Sequence, residues 1–230
     1  LCDEFLSPSF AKACGLEENE FKKLAIFLAA VHDIGKAIVV FQYKIGDKLP
    51  ERKSALEASG INFDVSHDKG KAKQTPHAFA GEEILNLLGC PECVSTVVGS
   101  HHGVPAESVQ DLSWPQEDIA FYENYYGRDK ENVEVLQDIW QTIFDMALDY
   151  AGFLDVSELP DIDRSSQMLL SGLLIMADWL ASNTELFPLL SVEDLKPDDK
   201  LRAEHAWAKL DFPQMWNPER TVISLSLIHI

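Results

Sequence analysis

The sequence predicts an all-α chain, on three observations. Apolar residues recur at the spacing of one helix face along several long segments. No stretch alternates apolar and polar residues over the length of a strand. Glycine and proline mark the breaks between helical segments, as at Gly46, Pro50, Gly60 and Gly70 and again at Gly103 and Pro105. With 230 residues and 46% hydrophobic content, the chain can bury a full core as a single domain.

Taken in order, residues 1–15 are a short lead-in closed by Gly15. A strong helix is expected from Glu17 to about Tyr43, with Phe21, Leu24, Phe27, Leu28 and Val31 on one face. The pair His32-Asp33 then falls in its later turns, and Lys36 lies one turn after His32 on the same face. From Lys44 to Thr75 the pattern breaks at Gly46, Pro50, Gly60 and Gly70, which predicts a loop with one short helix over 52–59. Seven of the nineteen basic residues sit there: Lys44, Lys48, Arg52, Lys53, Lys69, Lys71 and Lys73. They suit either a solvated loop or a guide for a nucleic-acid strand.

Thr75-Pro76 is a cap followed by a first-turn proline, so His77 opens a helix running to Leu88. A second helix is expected from Cys90 to His102, stopped by Gly103, with His101 and His102 in its last turn. From Gly103 to Asp163 fifteen acidic residues face only Arg128 and Lys130. Within that span, Val133–Tyr150 is an amphipathic scaffold helix with Leu136, Trp140 and Phe144 in its stripe. Asp163 caps a nearly all-apolar helix from Ser165 to Ser182, interrupted by Asp178 on the face of Leu174 and Ala181. A last helix covers Lys200–Lys209.

Composition narrows the function. No run of about 18 apolar residues is present, so no membrane span is expected. Four cysteines in a chain of this length make no disulfide scaffold, which points to reduced thiols and the cytoplasm. Net charge −19 argues against a general nucleic-acid coat. It leaves room for a nuclease whose phosphate contacts run through bound cations.

Six residues carry chemistry because their surroundings are wrong for them: His32-Asp33, His77, His101-His102 and Asp178, each in or beside an apolar helix. A buried unpaired carboxylate costs several kcal/mol, so Asp178 needs a cation. Taken singly, each has a plainer reading: a satisfied core histidine, a helix C-cap at His101-His102, or Asp178 paired with Arg164 or a lysine. The coincidence would have to repeat on four helices. His and Asp donors without thiolates suit transition metals, and a carboxylate bridging two ions about 3.5–4 Å apart suits phosphoryl displacement. Cys90 and Cys93 have the spacing of half a zinc site with no second pair, and read as a helix start. His67 and His205 are expected at the surface.

The series His32-Asp33-Ile34-Gly35-Lys36, Phe41-Gln42-Tyr43-Lys44, His77 ahead of Ala80-Gly81, Ser100-His101-His102-Gly103 and Met176–Ser182 resembles the HD superfamily of metal phosphohydrolases. More narrowly it is similar to the HD nuclease domain of the type I CRISPR-associated helicase-nuclease, over about Leu16 to Phe187. The resemblance implies an HD-domain helical bundle with a basic loop insertion. It implies a nuclease that cuts single-stranded DNA during CRISPR interference through metal-activated water, recruited by a crRNA-guided surveillance complex. Two divalent transition-metal ions (Mn, Co, Ni or Fe) are implied, with ATP used only by helicase domains that lie outside this chain. His32, Asp33 and Asp178 would hold the first ion, with Asp33 bridging, and His77, His101 and His102 the second. Lys36 would sit near the scissile phosphate. An HD-type nucleotide or cyclic-nucleotide phosphohydrolase is the alternative, and a helical adaptor without chemistry is the non-enzyme one.

The family places a further metal-binding histidine upstream, and none of the thirty-one residues before His32 is a histidine. An N-terminally truncated nuclease domain over 1–212 is therefore expected, with its first metal site incomplete. Residues 213–224 read as a linker toward a helicase, and 225–230, which hold His229, as a non-native tail.

Overall fold

Every described element of the chain is helical. The structure, a computed structural model, describes residues 7–46, 48–64, 75–103, 119–190 and 199–210. The helices are α1 (Ser7–Ala13), α2 (Glu18–Val31), α3 (Val39–Gly46), α4 (Pro50–Ala58), α5 (His77–Leu87), α6 (Glu92–Gly99), α7 (Ile119–Tyr126), α8 (Glu131–Ala151), α9 (Arg164–Ala181) and α10 (Asp199–Lys209). The all-α expectation holds. No single helix among the described residues is long and apolar enough to cross a membrane.

The expected helix from Glu17 to Tyr43 is three pieces. α2 ends at Val31, Ile34–Ala37 form a 3-10 turn, and α3 leaves at 74° to what precedes it. Tertiary contacts outweigh helix propensity here. Gly35 and Ile34 are buried against α5, and the Trp140 indole N–H of α8 donates to the Ala37 carbonyl at 2.8 Å. The Gln42 side chain donates to the Lys36 carbonyl at 2.7 Å. Backbone groups released by the break are thus taken up by side chains. His32 and Asp33 consequently lie at the break itself, and Lys36 sits in the turn rather than one helical turn beyond His32.

The contact pattern makes α5 the centre of the larger unit, Ser7–Asp178. It packs against α6 on one side and the 3-10 turn on the other, while α2 packs on α8 and α6. The core between α2 and α8 holds Phe27 edge-on to Phe144, centroids 5.7 Å apart. α8 runs as its apolar stripe predicts, with Leu136, Trp140, Phe144, Ala147 and Leu148 buried. α9 lies along α2, where Leu170, Leu173, Leu174 and Ala177 meet Ala25, Leu28 and Ala29. Asp163 accepts from both the Ser166 amide (2.8 Å) and hydroxyl (2.6 Å), the expected cap.

Two expected caps differ. Thr75 does not cap α5, since its hydroxyl accepts from the Asn124 amide at 2.7 Å and Pro76 occupies the N-cap position. α6 ends at Gly99, so His101 and His102 lie in the turn that follows, closed by Gly103 at φ +89. In the smaller unit, Arg202 stacks on Phe187 and donates to the Pro188 carbonyl, and Lys209 donates to the Glu185 carbonyl.

Candidate metal centre

The breaks just described are what assemble the site. The α2 C-terminus delivers His32 and Asp33, the first residue of α5 delivers His77, the turn after α6 delivers His101 and His102, and α9 delivers Asp178. All six expected ligands come together. The His32 ring lies 5.4 Å from His101, His77 lies 4.7 Å from His102, and His101 lies 4.2 Å from His102, between centroids.

Two subsets form. The free ring nitrogens of His77, His101 and His102 lie within 4.8 Å of one another, so these three can hold one ion. His32 Nε2 faces two carboxylates, Asp33 Oδ2 at 3.3 Å and Asp178 Oδ1 at 3.6 Å. Asp33 connects the subsets. Its Oδ2 faces His32 and receives the Lys36 ammonium at 2.5 Å, while its Oδ1 faces His77 Nε2 at 3.4 Å.

The donor set fits a metal for a specific reason. His32 Nδ1 is 2.8 Å from the Ala29 carbonyl and His101 Nδ1 is 2.6 Å from the Val98 carbonyl. A carbonyl only accepts, so each Nδ1 carries a proton, and each Nε2 presents a lone pair whenever its ring is neutral. Both Nε2 atoms are buried with no hydrogen-bond partner. A lone pair aimed at carboxylate oxygens is repulsive unless a cation lies between them. Likewise His77 Nε2 and His102 Nε2, 2.9 Å apart, must share one proton or one cation. Backbone carbonyls orienting metal-bound imidazoles are the usual outer support of such sites.

Electrostatics agree. Burial favours neutral His77, and although the Asp33 charge opposes this, the His102, Lys36 and His101 charges reinforce it, lowering its pKa to about 4. Burial likewise lowers His101, against the Val98 carbonyl and with help from His102 and His32. Burial works to lower His32 too, but the approach of Asp33, the Ala29 carbonyl and the Asp178 charge outweigh it and raise its pKa. Burial pushes Asp33 up, but His32 and Lys36 more than offset it and hold the carboxyl well below its usual range. Asp33 is therefore a permanent anion, and burial keeps His77 and His101 neutral and available to a metal.

Of the basic segment, Lys44, Lys48 and Arg52 are exposed on α3, α4 and the link between them. Lys53 instead lies over the Tyr43 ring at 5.2 Å and reaches Glu57. Lys69, Lys71, Lys73 and His67 lie outside the described residues. α3 starts beside the site, with Phe41 against the His77 ring at 5.6 Å. Cys93 is a helix-start residue donating to Asp161, and His205 is exposed, both as expected. Gln42 and Trp140, which fasten the turn that carries Lys36, were not read as site supports. No sequence spacing announces a side chain that reaches a distant carbonyl.

A tandem His-Asp at a helix break, facing three clustered histidines and a carboxylate in an all-α unit, defines the HD class of metal-site proteins. A family model described as the HD domain of Cas3 matches residues 1–187, and the chain belongs to that Cas3 HD-domain family. It is similar to the CRISPR-associated nuclease/helicase Cas3 of Streptococcus thermophilus, 37% identical over 220 residues that cover 91% of this chain and 23% of that protein. Among solved structures it is similar to T. fusca Cas3, with TM-score 0.60 and 22% identity over 90% of this chain and 22% of that one. A CRISPR RNA-guided surveillance complex in a pre-nicking state contains a chain equally similar, with TM-score 0.60, 22% identity and coverage of 90% and 24%. These two structural likenesses show the shared fold, and this chain spans about a quarter of the length of those proteins.

Proposed function

We propose that this chain is a metal-dependent nuclease domain that cuts single-stranded DNA during CRISPR interference, in the cytoplasm, in concert with helicase domains and a crRNA-guided surveillance complex. One observation carries the reading: four separate segments converge on a point where His32 and His101 both turn an unpartnered Nε2 inward. The similarity to a nuclease/helicase supports the substrate class.

In this reading His32, Asp33 and Asp178 hold one divalent ion (Mn, Co, Ni or Fe) and His77, His101 and His102 a second. Such ions supply Lewis acidity at the phosphate and a water of lowered pKa. Asp33 would serve both ions, which fits its two oxygens facing different subsets. His77 and His101, kept neutral by burial, offer lone pairs without a proton to lose first. Lys36, half-exposed and tethered to Asp33, lies where its ammonium can meet the phosphate and stabilise charge that develops in the transition state. Lys44, Lys48 and Arg52 extend from the Phe41 side of the site and suit contact with the strand.

The test supplies Mn(II) or Co(II) and offers circular single-stranded DNA, duplex DNA and nucleotides. Nicking of the single strand that vanishes in Asp33→Ala is the expected result. Hydrolysis of nucleotides alone would establish the phosphohydrolase alternative, and failure to bind either metal would overturn both enzyme readings.

A further inference from the structure

Outside the ligand set, the described residues hold a buried carboxyl that the reaction does not use. Glu82 of α5 is 3% exposed. Its Oε1 accepts from the Thr96 hydroxyl of α6 at 2.8 Å, and its Oε2 is buried without a hydrogen-bond partner. That oxygen fills a notch on α6 which exists because residue 99 is glycine. An ideal Cβ built on Gly99 would lie 1.9 Å from Oε2 and 2.7 Å from Cδ of Glu82. Thr96 and Gly99 are three residues apart and so share one face of α6. Glu82 thus grips that face at two points, one turn apart.

The position of the grip gives it meaning. Gly99 is the last residue of α6, two before His101. Thr96, which holds Oε1, also offers its carbonyl to the Ser100 hydroxyl at 2.7 Å and the Ser100 amide at 3.0 Å, and Ser100 precedes the histidine pair. Glu82 itself stands five residues after His77 on α5. The contact therefore ties the helix that carries one histidine of the cluster to the end of the helix that carries the other two. Burial raises the Glu82 pKa against the Thr96 bond, and the Glu92 charge adds to it, as expected for an acid held by shape rather than by charge.

We infer that Glu82, seated against Gly99 and Thr96, is a positioning residue that sets the spacing between His77 and the His101-His102 pair, and so the affinity of the three-histidine cluster for metal. It touches neither metal nor substrate. The inference rests on the metal-centre reading above.

Titration with Co(II), followed by visible absorption and calorimetry on the full chain, tests it. Glu82→Gln keeps the length and the acceptor for Thr96, and should bind Co(II) as wild type does. Glu82→Ala should weaken Co(II) binding about 10-fold or more at the cluster, the range seen when supporting groups of metal ligands are removed. Its thermal midpoint in chelator should fall by only a few degrees. Gly99→Ala expels the carboxyl and should weaken binding as well. In Glu82→Ala/Gly99→Ala the added methyl occupies the vacated notch, so the double variant should bind no worse than Glu82→Ala alone. This non-additivity is what an unspecific loss of stability does not produce. Wild-type affinity in Glu82→Ala overturns the inference, as do additive losses in the double variant. If Glu82→Ala does not fold, affinity in Gly99→Ala equal to wild type overturns it. Absence of Co(II) binding in the wild-type chain defeats the metal-centre reading instead.

Discussion

At the scale of single residues, Asp33 and Lys36 lie in contact and have separable roles. Asp33 faces both histidine subsets through different oxygens, whereas the Lys36 ammonium contacts Asp33. Asp33→Ala is expected to lower metal occupancy at both subsets and abolish nicking. Lys36→Ala should keep metal stoichiometry while turnover falls about 10²–10³-fold, the usual loss for one electrostatic stabiliser. Metal content by elemental analysis beside single-strand nicking rates checks both. Equal metal loss in the two variants would refute the division of labour.

At the scale of elements, the site depends on how closely α5 is approached from both sides. An ideal Cβ on Gly35 would lie 1.9 Å from the His77 carbonyl oxygen and 2.5 Å from the Gly81 nitrogen. Backbone atoms cannot swing aside as a side chain can. Gly35→Ala should therefore push the turn carrying Asp33 and Lys36 away from α5. The expected result is a lower urea midpoint together with weakened Co(II) binding, and a variant with both unchanged would refute the close packing. On the other flank of α5, Glu82 gives a pH dependence. Its folded pKa is raised above the ordinary 4.5, so its stabilisation is full below that value and is lost as pH rises through the folded pKa. Glu82→Gln has no such loss. The stability of Glu82→Gln relative to wild type, measured by urea unfolding in chelator, should grow from pH 4 toward pH 7, and a flat difference would refute it.

At the scale of the whole molecule, the proposed metal binding should be coupled to folding, because the candidate ligands come from four segments far apart in sequence. Donors that repel one another in the folded chain are brought into register by an ion. Adding Mn(II) or Co(II) at about 100 times Kd should stabilise the fold by about 2.7 kcal/mol per site, and chelator should reverse it. A calorimetric midpoint independent of metal would contradict the coupling. The effect should shrink in His101→Ala, whose Nε2 is buried and unpartnered without a cation.

The sequence by itself determined the all-α class, the extents of α8 and α9 to within a few residues, and the six candidate ligand positions that the fold brings together. These follow from local causes: helical periodicity, the Asp163 cap, and polar residue types set in or beside apolar helices. It led to a wrong course for residues 17–43, read as one helix because every residue there tolerates a helix. Only the tertiary structure decided that the chain breaks after Val31. The bond from Trp140 to Ala37 and the fit of Gly35 against α5 cross the fold from residues distant in sequence, and periodicity cannot register them. The same holds for α6, whose last residue, Gly99, lies directly under the Glu82 side chain. The candidate ligands were legible because chemistry restricts residue type. Their convergence was not, because helix breaks and close helix contacts are settled by packing between distant parts of the chain.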